Sequence, residues 1–242
     1  MFTFVRWIIK GGIRSNYLNN KPEYMIIVGA KGFAKEVLEV LNQLQQTKSV
    51  AFYDDINLNI GNALYNDFPI LKSETAVKTY FNSFGNQFTI GIGNPILRYT
   101  LYKKFNKFGG EFVSTVSPKA VIGFFGNQID AGCNIMTNSI VTSDVTIGIG
   151  VLINLSCTIG HDCIIGDFVE LCPDVNVSGN CVIGSFTFIG TNSVILPNIT
   201  IGKNVTVGAG SVITKNIPDN CVVVGIPAKV IKELTPLDFD YE

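Results

Sequence analysis

Every sixth residue from Ile129 to Ile213 is isoleucine, valine or leucine, fifteen positions without a gap. In a chain that is 47% apolar, chance gives such a run odds on the order of one in 100,000. A six-residue period excludes helical arrays, whose repeats run from about 33 residues upward. It implies short strands and turns stacked coil on coil, a parallel β-helix. The slot after the aliphatic residue is glycine at 148, 160, 166, 184, 190, 202 and 208, which predicts a tight corner with an unusual backbone angle. Four residues after the aliphatic come small or β-branched side chains, among them Cys133, Cys157, Cys163 and Cys181, read as reduced packing residues inside the coil. Two weaker repeats begin at Val116 and Ile122, with Gln128 as a one-residue insertion. The repeat ends near Ile217, and "VVVGIPAKVIKEL" follows as a closing segment.

The half before the repeat has another rhythm. "MIIVGAKGFAKEVLEVLNQLQQ" reads as a buried strand, a glycine turn and a helix with Phe33, Val37, Leu41 and Leu44 on one face. "VAFYDD" supplies a second strand, and "QFTIGIGN" a further strand running into "PILRYTLYKKFNKFGG", a helix opened by proline and stopped by glycine. Strand, helix, strand around a glycine-rich first turn is the layout of a nucleotide-binding, Rossmann-like α/β unit. The expected organisation is an N-terminal extension (1–24), an α/β domain (25–114), a β-helix (115–218) and a closing segment (219–242).

Composition narrows the partners. Eighteen basic against nineteen acidic residues leave no electrostatic footprint for nucleic acid or an anionic membrane. No apolar run approaches the roughly 18 residues needed to span a bilayer, and "MFTFVRWIIKGG" lacks a signal-peptide cleavage site. The reading is therefore a cytoplasmic chain with reduced cysteines. One histidine, six cysteines and no CxxC pair cannot supply a zinc ligand set.

That one histidine, His161 in "INLSCTIGHDCIIGDF", falls two positions after Ile159, outside the inward slot. It is expected on the outer surface of a coil, next to Asp162. A neutral imidazole there can take a proton near neutral pH. Pairing of the two neighbours requires a corner conformation at 161 and 162, since successive side chains on a flat strand point to opposite faces.

The hexapeptide run, the "GIPAKVI" close, the "GAKGFAKEV" opening and "INLSCTIGHD" together resemble sugar acyltransferases of the sialic acid O-acetyltransferase type. Within them the chain is most similar to bacterial N-acetyltransferases of nucleotide-linked 4-amino-4,6-dideoxy sugars. The resemblance implies a left-handed β-helix with three hexapeptides per coil, a homotrimer with active sites between subunits, and acetyl-CoA as co-substrate without a metal. It implies acetylation of a nucleotide-linked amino sugar for bacterial surface glycan (O-antigen, capsule or glycoprotein) biosynthesis. O-acetylation of sialic acid or another glycan hydroxyl is the near alternative, and a catalytically silent solenoid scaffold the distant one.

The resemblance also assigns roles. His161 is the general base, Asp162 orients its ring, and the backbone N–H of Gly179 receives the oxyanion. Gly29, Ala30, Lys31 and Gly32 of "GAKG" offer N–H groups at a helix N-terminus to an anion. Asp54 and Asp55 approach the base or ribose, Asn94 and Arg98 lie near the diphosphate, and Asn154 stands beside the sugar. Gly190, Thr191, Ala209, Gly210 and Lys229 are matched to coenzyme A. Glu170 departs from the pattern by standing where relatives often carry a second histidine, and its negative charge favours a cationic amine. Asp174 replaces a usual glycine, and Lys31 a small residue.

Overall fold

The computed structural model describes residues 24–57 and 59–238, so the N-terminal extension lies, but for Tyr24, outside the described residues. The α/β domain runs β1 (Met25–Val28), α1 (Gly32–Gln43), β2 (Val50–Tyr53), β3 (Ala63–Leu64), β4 (Phe68–Leu71), α2 (Glu74–Ser83), β5 (Gln87–Ile90), α3 (Pro95–Lys107) and β6 (Glu111–Phe112). The sheet order is β3-β4-β2-β1-β5-β6. β1 pairs in parallel with β2 on one side and β5 on the other, and its four residues are all buried, as expected for a strand covered on both faces. The chain therefore reverses direction across the sheet beside β1, and a crevice opens at the carboxyl ends of β1, β2 and β5.

From Thr115 the chain winds into a parallel β-helix whose strands stack in three sheets. The first face carries Ile135, Ile153, Leu171, Ile189 and Val207 in line. The second carries Ile122, Val141, Ile159, Val177, Ile195 and Ile213. The third carries Ile129, Ile147, Ile165, Ile183 and Ile201. Eighteen residues thus make one coil, as in the pairing of Ile153 with Leu171. The aliphatic rungs and the cysteines at 133, 157, 163 and 181 fill one continuous core inside the prism. All six cysteines are free and buried.

Two details of the repeat differ from expectation. Gln128 sits on the strand Gln128–Ile129, so the extra residue belongs to the turn before it. The glycines at 148, 160, 166, 184, 190, 202 and 208 are not the left-handed residues. The positive-φ slot comes two residues later, at Asn138, Asp144, Gly150, Ser156, Asp162, Phe168, Asp174, Asn180, Phe186, Asn192, Asn198 and Asn204. The earlier glycines are required by close approach instead: a Cβ on Gly160 would sit 2.6 Å from the Gly179 nitrogen, and one on Gly190 2.6 Å from the Ala209 nitrogen.

The α/β domain lies over the first face. Val40 of α1 packs with Met136 and Leu152, and Ser117 Oγ donates to Gln43 Oε1 at 2.7 Å. On the edge shared with the third face, Phe168 and Phe186 take left-handed φ values of 53° and 62°, unfavourable for bulky side chains. The conformation turns their rings outward, where they stack at 5.8 Å and receive Tyr99 of α3 edge-on at 5.3 and 5.4 Å. The corner between the second and third faces, opposite the covered face, carries His161.

Candidate active site

His161 and Asp162 lie between the strands Thr158–Ile159 and Ile164–Ile165. Asp162 occupies the left-handed slot at φ 56°, which swings its carboxylate back beside its neighbour: His161 Nδ1 and Asp162 Oδ2 are 2.7 Å apart. The corner conformation needed for this pair is present. In the neutral ring, an Nδ1–H donated to this carboxylate leaves the lone pair on Nε2. The ring lies over Gly179 one coil on, where a Cβ would come 2.6 Å from Nε2. Both side chains of the pair remain open, at 62% and 56% exposed. The Gly179 N–H has no acceptor among the described residues. The next residue up this corner is Pro197, which offers no side-chain acceptor.

The second group of residues gathers at the carboxyl ends of β1, β2 and β5. Gly29, at φ 111°, donates to Tyr53 O at 2.8 Å and lies against Ile92. Lys31 is the N-cap of α1 and provides no side-chain cap. The α1 N-terminus, with Gly32 open to space, therefore presents free backbone N–H groups to an anion. Lys31 Nζ reaches instead to Asn57 Oδ1. Asp54 is occupied by its own loop, accepting from the Ile56 and Asn57 backbones and from Asn57 Nδ2. Asp55 Oδ2 accepts from Tyr53 OH at 2.8 Å and from Lys104 Nζ at 2.7 Å. Burial pushes the Asp55 carboxyl up, but Lys104 and Tyr53 outweigh it and hold it below its ordinary value. Sequence reading did not single out Lys104; its only signal was a lysine in the last turn of α3.

Arg98 is a correction. Assigned to a diphosphate, it is fully buried. Its Nε donates to Gly150 O, Nη1 to Ile90 O and Ile92 O, and Nη2 to Asn134 Oδ1. Burial lowers the guanidinium to about 10, against the opposing pull of Glu170. It fastens the two domains and presents nothing to a ligand. Asn94 caps α3 by accepting from Leu97 N at 3.0 Å, while its own N–H donates to Glu170 Oε2 at 2.6 Å.

Asn154, Glu170 and Cys172 lie on the first face beside this contact, each nearly buried. Asn154 Oδ1 accepts the Leu155 N–H at 2.8 Å. Glu170 is also corrected: its carboxylate is engaged by protein donors and does not stand free to meet an amine. Burial raises its carboxyl above the ordinary range, against the Asn94 bond and the Arg98 charge. Thr191, Ala209, Gly210 and Lys229 are exposed; Gly210, at φ 67°, donates to Thr191 O at 2.8 Å. Gly190, Thr191, Ala209 and Gly210 follow strands of the first face, on the corner it shares with the second, while Lys229 lies on the closing antiparallel strand Ala228–Glu233. They are not brought to His161 within one chain. The described residues contain no cluster of ligands for a metal ion, and no helix among them is long and apolar enough to cross a membrane.

Known proteins agree with this two-part architecture. Residues 24–105 match the PglD N-terminal domain family, and residues 180–215 match the bacterial transferase hexapeptide family of six repeats. GDP-perosamine N-acetyltransferase of Escherichia coli O157:H7 is 27% identical over 153 residues, which span 61% of this chain and 66% of that enzyme. A mutant of perosamine N-acetyltransferase from Caulobacter crescentus, solved with CoA and GDP-perosamine, superposes with a TM-score of 0.80 at 27% identity, covering 87% of this chain and 97% of that one. WeeI from Acinetobacter baumannii AYE is 30% identical with a TM-score of 0.77, over 86% of this chain and all of WeeI. By fold, by both family matches and by identity across the whole of a relative, the chain belongs to the left-handed β-helix acetyltransferases of nucleotide-linked amino sugars.

Proposed function

We propose that this enzyme transfers the acetyl group of acetyl-CoA to the amino group of a nucleotide-linked 4-amino-4,6-dideoxy sugar, with His161 as general base. The observation that carries the reading is the His161 Nδ1–Asp162 Oδ2 contact of 2.7 Å. It leaves Nε2 as the proton acceptor over the unpaired Gly179 N–H. The sugar amine attacks the thioester carbonyl while Nε2 takes its proton. The Gly179 N–H receives the oxyanion of the tetrahedral intermediate, a donor typically worth about 3 to 4 kcal/mol. Collapse breaks the C–S bond, and the imidazolium returns the proton to the departing thiolate, so no acyl-enzyme forms.

The nucleotide diphosphate fits the open N-terminus of α1, with Asp55 toward the base or ribose and Asn154 beside the sugar. Coenzyme A fits along Gly190, Thr191, Ala209 and Gly210, with Lys229 for a phosphate. The assembly we infer is a homotrimer, which is supported by the placement of His161 on the corner opposite the face that carries the α/β domain: a neighbouring chain would bring the two together. Both substrates belong to the cytoplasm, and the product to bacterial surface glycan assembly. The reading is tested by free thiol release from acetyl-CoA with UDP-, GDP- and dTDP-linked 4-amino sugars. Amine-dependent release with one of them is the expected result. Release with none of them sinks the reading, and turnover with a hydroxyl acceptor alone replaces it with O-acetylation.

A further inference from the structure

Glu170 points out of the coil into the α/β domain and is 7% exposed. Its Oε2 accepts the Asn94 N–H at 2.6 Å, and its Oε1 lies 3.9 Å from Cys172 Sγ. Gly93 has no room for a side chain at this contact, since a Cβ would sit 2.6 Å from Oε1. Asn94 holds φ 58°, a conformation uncommon outside glycine.

The same short segment continues to the anion-binding turn. A Cβ on Gly91 would come 2.7 Å from Ala34 Cα, in the first turn of α1, and one on Gly29 would come 2.7 Å from Ile92 Cγ1. Gly91 N also donates to Val28 O at 2.9 Å. From the coil to the turn, each contact is made by backbone or at a glycine with no space to spare. Gly91 meets the Ala34 backbone and Gly29 meets the Gly91 carbonyl, so a displacement of Gly93–Asn94 is passed on through Gly91 to Gly29 and the start of α1.

We propose that Glu170 is a positioning residue: by clamping Gly93–Asn94 it sets the shape of the Gly29–Gly32 turn and so the affinity for the nucleotide diphosphate. This rests on the nucleotide-sugar reading above. It gives Glu170 a task distinct from holding the amine or the acetyl group, because both its oxygens face protein donors.

The test compares Glu170→Ala, Glu170→Asp and Glu170→Gln in the full chain. GDP, UDP and dTDP binding is measured by calorimetry, and steady-state kinetics are run with each substrate varied. Glu170→Ala is expected to weaken binding of the preferred nucleoside diphosphate and raise the sugar-nucleotide KM about tenfold, with kcat and the acetyl-CoA KM within about twofold. Glu170→Gln, whose amide oxygen accepts the same N–H, restores binding to within about threefold of wild type. Glu170→Asp, one methylene short, gives the same split at smaller size and serves should the alanine variant not fold. Unchanged diphosphate binding in Glu170→Ala overturns the proposal, as does a kcat loss in Glu170→Gln equal to that in Glu170→Ala. If wild type binds none of the three diphosphates, the functional reading fails. The clamp is then decided by amide hydrogen exchange over 91–97: faster exchange in Glu170→Ala supports it, and unchanged exchange overturns it.

Discussion

A histidine is a useful base only if one nitrogen is free and the ring is held still. Here a single backbone conformation supplies both: the left-handed φ of Asp162 places its carboxylate on Nδ1, and the coil above offers a glycine under the ring. Because the His161 side chain is 62% exposed, its removal leaves packing intact. His161→Ala is expected to lower kcat by about 100-fold or more with the melting temperature unchanged. Gly179→Ala puts a methyl 2.6 Å from Nε2 and displaces the ring, so kcat falls by about tenfold while both KM values hold. The pair is checked by steady-state kinetics beside thermal unfolding; equal activity of either variant and wild type removes His161 from the chemistry. The position of His161 was legible because the repeat explained every neighbour and not that residue. The free nitrogen was not legible, since it depends on which way one corner turns.

At the scale of elements, the period of six was readable because the inside of a narrow prism admits only aliphatic and small side chains. The corners were less readable. Asn, Asp, Ser, Gly and even Phe share the left-handed slot, so no single residue type marks it. The glycines that do recur answer to the backbone of the next coil. Arg98 shows the limit most clearly: an arginine near the start of a helix after a strand suits a phosphate equally well as a buried pin, and only tertiary packing decides. Its four acceptors, Gly150 O, Ile90 O, Ile92 O and Asn134 Oδ1, tie α3 and β5 to the coil. Arg98→Met removes a buried charge but strands those acceptors, and is expected to destabilise the fold by roughly 3 to 5 kcal/mol. Urea unfolding measures it. A ligand-binding arginine would show the opposite pattern, with unfolding unchanged and nucleotide affinity lost.

The whole molecule poses a problem of distance. The α/β domain covers one face of the prism through Val40, Gln43, Arg98 and Tyr99, while His161, the proposed base, stands on the opposite corner. The proposed homotrimer closes that gap by letting an acceptor bound at the α1 N-terminus of one chain meet His161 of another. Complementation between two inactive variants tests this. Gly32→Glu has open space for its side chain and sets a carboxylate where the diphosphate's charge belongs, disabling the pocket while leaving His161 sound. His161→Ala leaves the pocket sound and removes the base. Each alone is expected to be nearly inactive. Co-expressed in equal amounts and randomly assembled, they form some sites from an intact pocket on one chain and an intact His161 on another. Such sites make up about a quarter of the total in a ring of identical contacts. Recovery to about a quarter of wild-type activity is therefore expected in the co-purified mixture. Activity no greater than that of the separate variants means that pocket and base serve within one chain, and the assembly argued from their separation falls.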